Sequence, residues 1–139
     1  MESENKKIAF FVPGQPPRAT AQEKKVTVIH GRPKYYEPEK VKTAKAYLIS
    51  GIAPYRPQKP LQGALSLKTC WMFQTKSARQ NGLWKVTRPD TDNLVKMLKD
   101  CLTQCGFWYD DAQVCRETIE KRWSMEPGIS IEIERLEDD

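Results

Sequence analysis

The sequence predicts an α+β fold: a single domain over residues 1–139 in which helices pack mainly on one face of a mixed β-sheet. Three observations carry this. The chain has 139 residues, 39% apolar and 29% charged, enough for one modest core and too short for two. Apolar residues alternate at period 2 in 63–74, 114–123 and 129–133, as half-buried strands do. Between the first two runs, Leu94, Leu98, Cys101, Leu102 and Cys105 repeat at helical spacing. Each element has one apolar side to bury, so sheet and helix must cover each other.

The elements follow in order. Ile8–Val12 reads as a buried strand, closed by Pro13-Gly14-Gln15-Pro16-Pro17-Arg18, where proline cannot donate to a ladder. Val26–Ile29 and Pro33–Tyr36 fit a hairpin turning at Gly31. Pro38 suits a first helical turn, and Val41, Ala44, Leu48 and Ile52 continue it, so 38–52 reads as a helix. Pro54, Pro57 and Pro60 stiffen the connector to the 63–74 strand. Residues 76–88 read as a mobile basic loop, with Trp84 beside Lys85. The helix of 93–105 ends where Gly106 can take the left-handed conformation. Two strands follow, joined at Glu126-Pro127-Gly128. Residues 1–6 and 136–139 read as flexible tails.

The formal net charge of +5 conceals an asymmetry. Residues 1–88 carry +12 and residues 89–139 carry −7. A basic part joined to an acidic one suits a protein that holds a polyanion with the first and does something else with the second; a merely solvated surface accounts for the charge equally well. The longest purely apolar run, Ile8–Val12, is far short of the roughly 20 residues of a membrane span. The polar start, Met1-Glu2-Ser3-Glu4-Asn5, lacks the apolar stretch of a secretory signal. A soluble cytoplasmic protein is the expectation. Cys70, Cys101, Cys105 and Cys115 form no Cys-x-x-Cys pair, and His30 is the one histidine. They read as reduced thiols, two of them in the core, and not as a zinc site or a Cys-His nucleophile.

The informative stretch is Arg88-Pro89-Asp90-Thr91-Asp92-Asn93-Leu94-Val95-Lys96, followed by Trp108-Tyr109-Asp110-Asp111-Ala112-Gln113. Asp90 and Asp92 can converge only just before the helix or in its first turn, since helical residues two apart diverge. Two close carboxylates repel unless a cation lies between them or one is protonated. Hard oxygen donors on a partly hydrated site suit Mg²⁺ or Mn²⁺. A third carboxylate, Asp110 or Asp111, joins them only if the 106–111 loop returns the chain past a helix about 20 Å long. The same residues also suit plain structural work. Asp90 or Asp92 could cap the helix, Asp110-Asp111 could be a solvated turn, and Lys96 could pair with Asp92 one turn away.

These two stretches together resemble the RusA family of Holliday junction resolvases, most closely over 88–123. The resemblance implies a small homodimeric, Mg²⁺-dependent DNA endonuclease of RusA-like α+β fold, acting on four-way junctions in recombination and repair. It implies no small-molecule cofactor and no membrane. Asp90, Asp92 and Asp111 match the family's catalytic, metal-binding carboxylates, with Asp110 the adjacent acid and Mn²⁺ a substitute ion. Lys96 matches a lysine close to the reacting phosphate, and Asn93 a residue that positions the motif. Affinity for branched DNA is expected from Lys24, Lys25, Arg32, Lys34, Lys76, Arg79, Lys85 and Arg88, through salt-dependent phosphate contacts. Trp84 could stack on an unpaired base, although packing is the commoner role of such a residue. The alternative readings are an inactive or non-junction-specific DNA-binding protein of prophage origin, and a phosphohydrolase acting on nucleotides.

Overall fold

The computed structural model describes residues 7–18, 25–36 and 38–137. They form one α+β domain. Its main sheet has four strands in the order β1-β6-β4-β5: β1 (Lys7–Pro13), β4 (Leu65–Gln74), β5 (Val114–Ser124) and β6 (Gly128–Arg135). β4 and β5 run parallel, while β6 is antiparallel to both β1 and β4. The sheet is therefore mixed, as expected. A separate hairpin joins β2 (Lys25–Ile29) and β3 (Arg32–Tyr36). Its turn has positive φ at both His30 (53°) and Gly31 (77°), the geometry whose twist matches two short antiparallel strands.

The period-2 pattern decides which face is covered. Leu65, Leu67, Thr69, Trp71 and Phe73 of β4 are buried, and register sets them beside Ile129, Ile131 and Ile133 of β6. Ile8, Phe10 and Val12 of β1 extend the same face. Helix α1 (Glu39–Ile52) lays Val41, Ala44, Leu48 and Ile52 on it. Gly51 lets α1 approach β1, because a Cβ there would collide with Val12. Helix α2 (Thr91–Gln104) adds Leu94, Val95, Met97, Leu98, Cys101 and Leu102. Each large side chain so buried contributes roughly 1.5–3 kcal/mol. The buried Trp71 indole is satisfied by Thr69 Oγ1 at 2.9 Å. The opposite face, with Lys68 and Glu134 exposed, has no helix on it among the described residues.

α2 is the crossover between parallel strands, so it runs antiparallel to β4 and β5. Its first residue lies at the end of the sheet where β4 finishes, and its last where β5 begins. Gly106 (φ +84°) terminates it, with Phe107 N donating to Leu102 O and Gly106 N to Thr103 O. This pair of bonds satisfies carbonyls the helix leaves open.

One expectation is corrected here. Residues 76–88 are a fastened segment, not a mobile loop. Gly82 N and Lys85 N donate to Trp123 O and Lys121 O, and Trp123 N donates to Leu83 O. Asn81 Oδ1 accepts from Met125 N at 2.7 Å. The segment pairs with the outer edge of β5 and so covers an edge that would otherwise expose unpaired backbone. At the other terminus, Leu136 N is held by Ala64 O at 2.8 Å, so residue 136 is tied to the domain. Residues 1–6, 138 and 139 lie outside the described residues. Among the described residues no helix is long and apolar enough to cross a membrane.

Candidate active site

Asp90 is the residue at the N-terminal boundary of α2. Its backbone is extended (φ −76°, ψ 149°), and its carbonyl accepts from Leu94 N, yet its carboxylate makes no capping bond. Asp92 follows in the first turn, where the helix dipole favours negative charge by about 0.3–1 kcal/mol. Both are exposed. The capping role is thus not taken by Asp90. Nor is the Asp92–Lys96 ion pair among those formed by the described residues. Asp90, Asp92 and Lys96 leave their polar ends uncommitted at one end of the molecule, with Asn93 half-buried between them.

Helical spacing puts Asp92, Lys96, Lys99 and Thr103 on one stripe of α2. Lys99 meets Glu117 of β5 at 3.0 Å, so this stripe looks along β5. On β5 the helix-facing positions are Glu117, Ile119, Lys121 and Trp123, paired across from Leu67, Thr69, Trp71 and Phe73. Asp92 thus opens onto the β5 side of α2.

The second acidic cluster is at the other end. Asp110 and Asp111 begin the 3-10 turn of Asp111–Gln113 that precedes β5. Asp110 Oδ1 accepts from Ala112 N at 2.8 Å. Gln113 Oε1 accepts from Tyr109 N and Asp110 N, and its Nε2 donates to Leu61 O and Gly63 O. Asp110 is therefore a capping residue, and Gln113 ties this loop to the start of β4. Asp111 is exposed with its carboxylate unpaired among the described residues. The loop closes onto the strand starts, through Leu61 N to Phe107 O at 2.9 Å, and does not return to the head of α2. The expectation that Asp90, Asp92 and Asp111 meet within one chain is corrected accordingly. Fourteen residues of α2 put about 20 Å between the two clusters, and no three acidic, histidine or cysteine side chains gather around a common point among the described residues.

The basic candidates divide. Lys76, Arg79, Arg88 and Arg32 are exposed. Lys25 and Lys34 are placed on the two hairpin strands, and Lys24 lies outside the described residues. Lys85 is a second correction. It is only 3% exposed, and its ammonium donates to Thr87 Oγ1 and Arg88 O, both at 2.5 Å. It also lies over the rings of Phe73 and Trp123, at 5.1 and 4.7 Å. Burial, then the neighbouring Arg18 and Lys121, hold its pKa below the usual lysine value. A cation so enclosed is spent on the fold and does not face a phosphate. Trp84 is 58% exposed, but the Arg122 guanidinium lies 3.7 Å from its ring centroid, which occupies one face of the indole.

Sequence reasoning passed over Lys121. Its Nζ donates to Thr87 O at 2.6 Å and to Pro89 O at 2.8 Å. The available signal was its position: a lysine between Ile119 and Trp123 on the covered side of a strand needs a reason to be there. Gln113 gave a weaker signal, three residues after an Asp, as in a capping box.

An acidic pair at a helix head, flanked by cations on a small mixed-sheet scaffold, is a constellation that fits chemistry on a phosphodiester. The family profile described as Endodeoxyribonuclease RusA matches residues 13–134. The chain belongs to the RusA family. It is 27% identical over 116 residues to the crossover junction endodeoxyribonuclease rusA of Lactococcus phage r1t, covering 82% of this chain and 87% of that protein. It is also 29% identical over 145 residues to the uncharacterized protein YqaN of Bacillus subtilis (strain 168), covering 93% of this chain and 96% of that one.

Proposed function

We propose that this chain resolves four-way DNA junctions in recombination and repair by paired, Mg²⁺-dependent phosphodiester hydrolysis, acting as a homodimer. The observation that carries the reading is the pair of exposed carboxylates, Asp90 and Asp92, free of capping and ion-pair duties at the head of α2. The phage relative's name supports a crossover junction as substrate.

The donor set fits Mg²⁺, with Mn²⁺ as a substitute. That ion keeps several waters and is commonly held by one or two carboxylates together with substrate phosphate oxygens. Asp90 and Asp92 supply the carboxylates. When bound, the ion would lower the pKa of a water and neutralise charge on the phosphate under attack. Lys96, one turn beyond Asp92, adds a positive charge where negative charge grows in the transition state. Asn93 positions the motif between them. Lys76, Arg79, Arg88 and Arg32, with the hairpin residues Lys25 and Lys34 and the neighbouring Lys24, hold phosphates away from the acids.

Asp111 enters this scheme through the dimer. Within a chain it is a helix length from Asp90, so a site containing all three takes Asp111 of the partner subunit. Two-fold symmetry then builds two equivalent sites, one for each of two symmetric strands of a junction.

The test uses synthetic junctions and linear duplexes, with Mg²⁺ or EDTA. The wild type should cut junctions at paired positions only with the metal. Asp90→Asn and Asp111→Asn should each bind junctions without cutting. Mixed as verified heterodimers, they should regain cutting, since one of the two shared sites is then intact. Heterodimers that stay inactive would remove the shared site. A wild type that binds junctions and never cuts them in any divalent metal would leave the non-catalytic DNA-binding reading.

A further inference from the structure

We propose that Lys121, backed by Lys85, is a positioning residue that aims Asp90. The inference rests on the nuclease reading above, because it concerns the acidic pair of that site. The carbonyls of the three residues before Asp90 are each held by an ammonium. Lys121 takes Thr87 O and Pro89 O. Lys85 takes Arg88 O and the Thr87 hydroxyl, with a longer contact of 3.4 Å to Thr87 O. Among the described residues, no backbone N–H donates to any of these three carbonyls. The segment thus has neither helix nor ladder to fix it before the helix starts.

Asp90 comes next. Its carboxylate has no capping bond of its own, so its direction follows from the backbone that delivers it. That backbone hangs on two side chains from different places. Lys121 is on the helix-facing side of β5. Lys85 belongs to the segment paired along the edge of β5, and its backbone N donates to Lys121 O at 3.1 Å. An ammonium has three donors and no acceptor, which suits it to gathering several carbonyls at one point. Bonds from a charged donor are about twice as strong as neutral ones. The buried, ring-covered Lys85 makes a rigid backing, while half-buried Lys121 reaches the last carbonyl before the acid. Through these contacts β5 and α2 share one fixed reference for the metal-binding carboxylate.

The experiment compares wild type, Lys121→Met, Lys121→Arg and Asp90→Asn. It reads single-turnover junction cutting in Mg²⁺, junction affinity in EDTA, Mn²⁺ affinity by water-proton relaxation, and thermal midpoint. Partners that orient metal ligands typically matter 10–100-fold when removed. Lys121→Met should therefore cut and bind Mn²⁺ about 10–100-fold less well, with junction affinity unchanged. Lys121→Arg, which keeps charged donors, should recover most of both. A Lys121→Met variant that cuts and binds Mn²⁺ like wild type overturns the proposal, as does one whose whole deficit is in junction affinity. Should that variant not fold, Lys121→Gln, with one uncharged amide donor group, is read on the same scale. If wild type binds Mn²⁺ through Asp90 but cuts nothing, the nuclease reading fails alone, and the Mn²⁺ affinities of the Lys121 variants decide the positioning role. If wild type does not bind Mn²⁺ at all, both fall.

Discussion

The two ends of α2 carry the same residue type in opposite states of commitment. At the tail, Asp110 is locked in a reciprocal cap with Gln113, and that glutamine is bonded on to Leu61 and Gly63. At the head, Asp90 stands in the capping position and does not cap, although an aspartate there would ordinarily do so. The carbonyls before it are held by lysines instead. A carboxylate kept out of an available stabilising bond is free for a ligand. The contrast separates an acid that builds a loop from acids that can do chemistry.

Substitution by asparagine breaks this comparison most sharply. Asparagine caps as well as aspartate does but lacks the charge that would hold the proposed divalent ion. Asp92→Asn should lower junction cutting by about 10³-fold or more, the scale of several kcal/mol of metal-assisted stabilisation. Asp110→Asn should cut like wild type and melt at the same temperature. If Asp110→Asn is as inactive as Asp92→Asn, Asp110 is more than a cap and the two ends are not different in kind. A smaller effect is expected from Gln113→Leu, which removes the partner of four backbone groups. With each bond contributing about 0.5–1.5 kcal/mol, and three of the four solvent-exposed, denaturant titration should show a loss of roughly 2 kcal/mol, the low end of the sum. Under the proposed scheme, cutting per folded protein should fall too, since Asp111 is carried on that loop. Unchanged stability would show that the loop is held by Leu61, Phe107 and Trp108 packing alone.

How far the sequence anticipates this molecule follows the range of the interactions involved. β1, β4, α2, β5 and β6 fall where period and breakers place them, because each is written in consecutive residues. Gly106 is legible for the same reason. What could not be read is what joins distant residues. Nothing in Trp84-Lys85-Val86 says that the lysine turns inward onto Phe73 and Trp123, and a basic, Gly-containing stretch looked mobile although it edges a sheet. The separation of Asp111 from Asp90 was legible in principle. A parallel β-α-β crossover puts the residues before the helix and those after it at opposite ends of the sheet. Acids flanking one such helix on both sides are therefore kept apart within one chain.

The smallest effect concerns the buried ammonium of Lys85 near the head of α2, and it has a definite sign. Lys85 releases its proton at lower pH in the folded chain than in the unfolded one, because burial, and after it Arg18 and Lys121, disfavour its charge. Between the folded value and the unfolded value near 10.4, the unfolded chain binds more protons at this site. Stability contributed by this group therefore rises with pH across that window, and is least favourable where Lys85 is charged in both states. Lys85→Met removes the group from the balance. The stability of wild type relative to Lys85→Met should accordingly increase from pH 8 to pH 10 in paired denaturant titrations. The tail of α2 supplies the control: Asp110→Asn, which leaves Lys85 in place, should show no such change relative to wild type. Parallel curves for wild type and Lys85→Met would mean that the acceptors around the ammonium offset its desolvation, and that the head of α2 holds its lysine at no cost in charge.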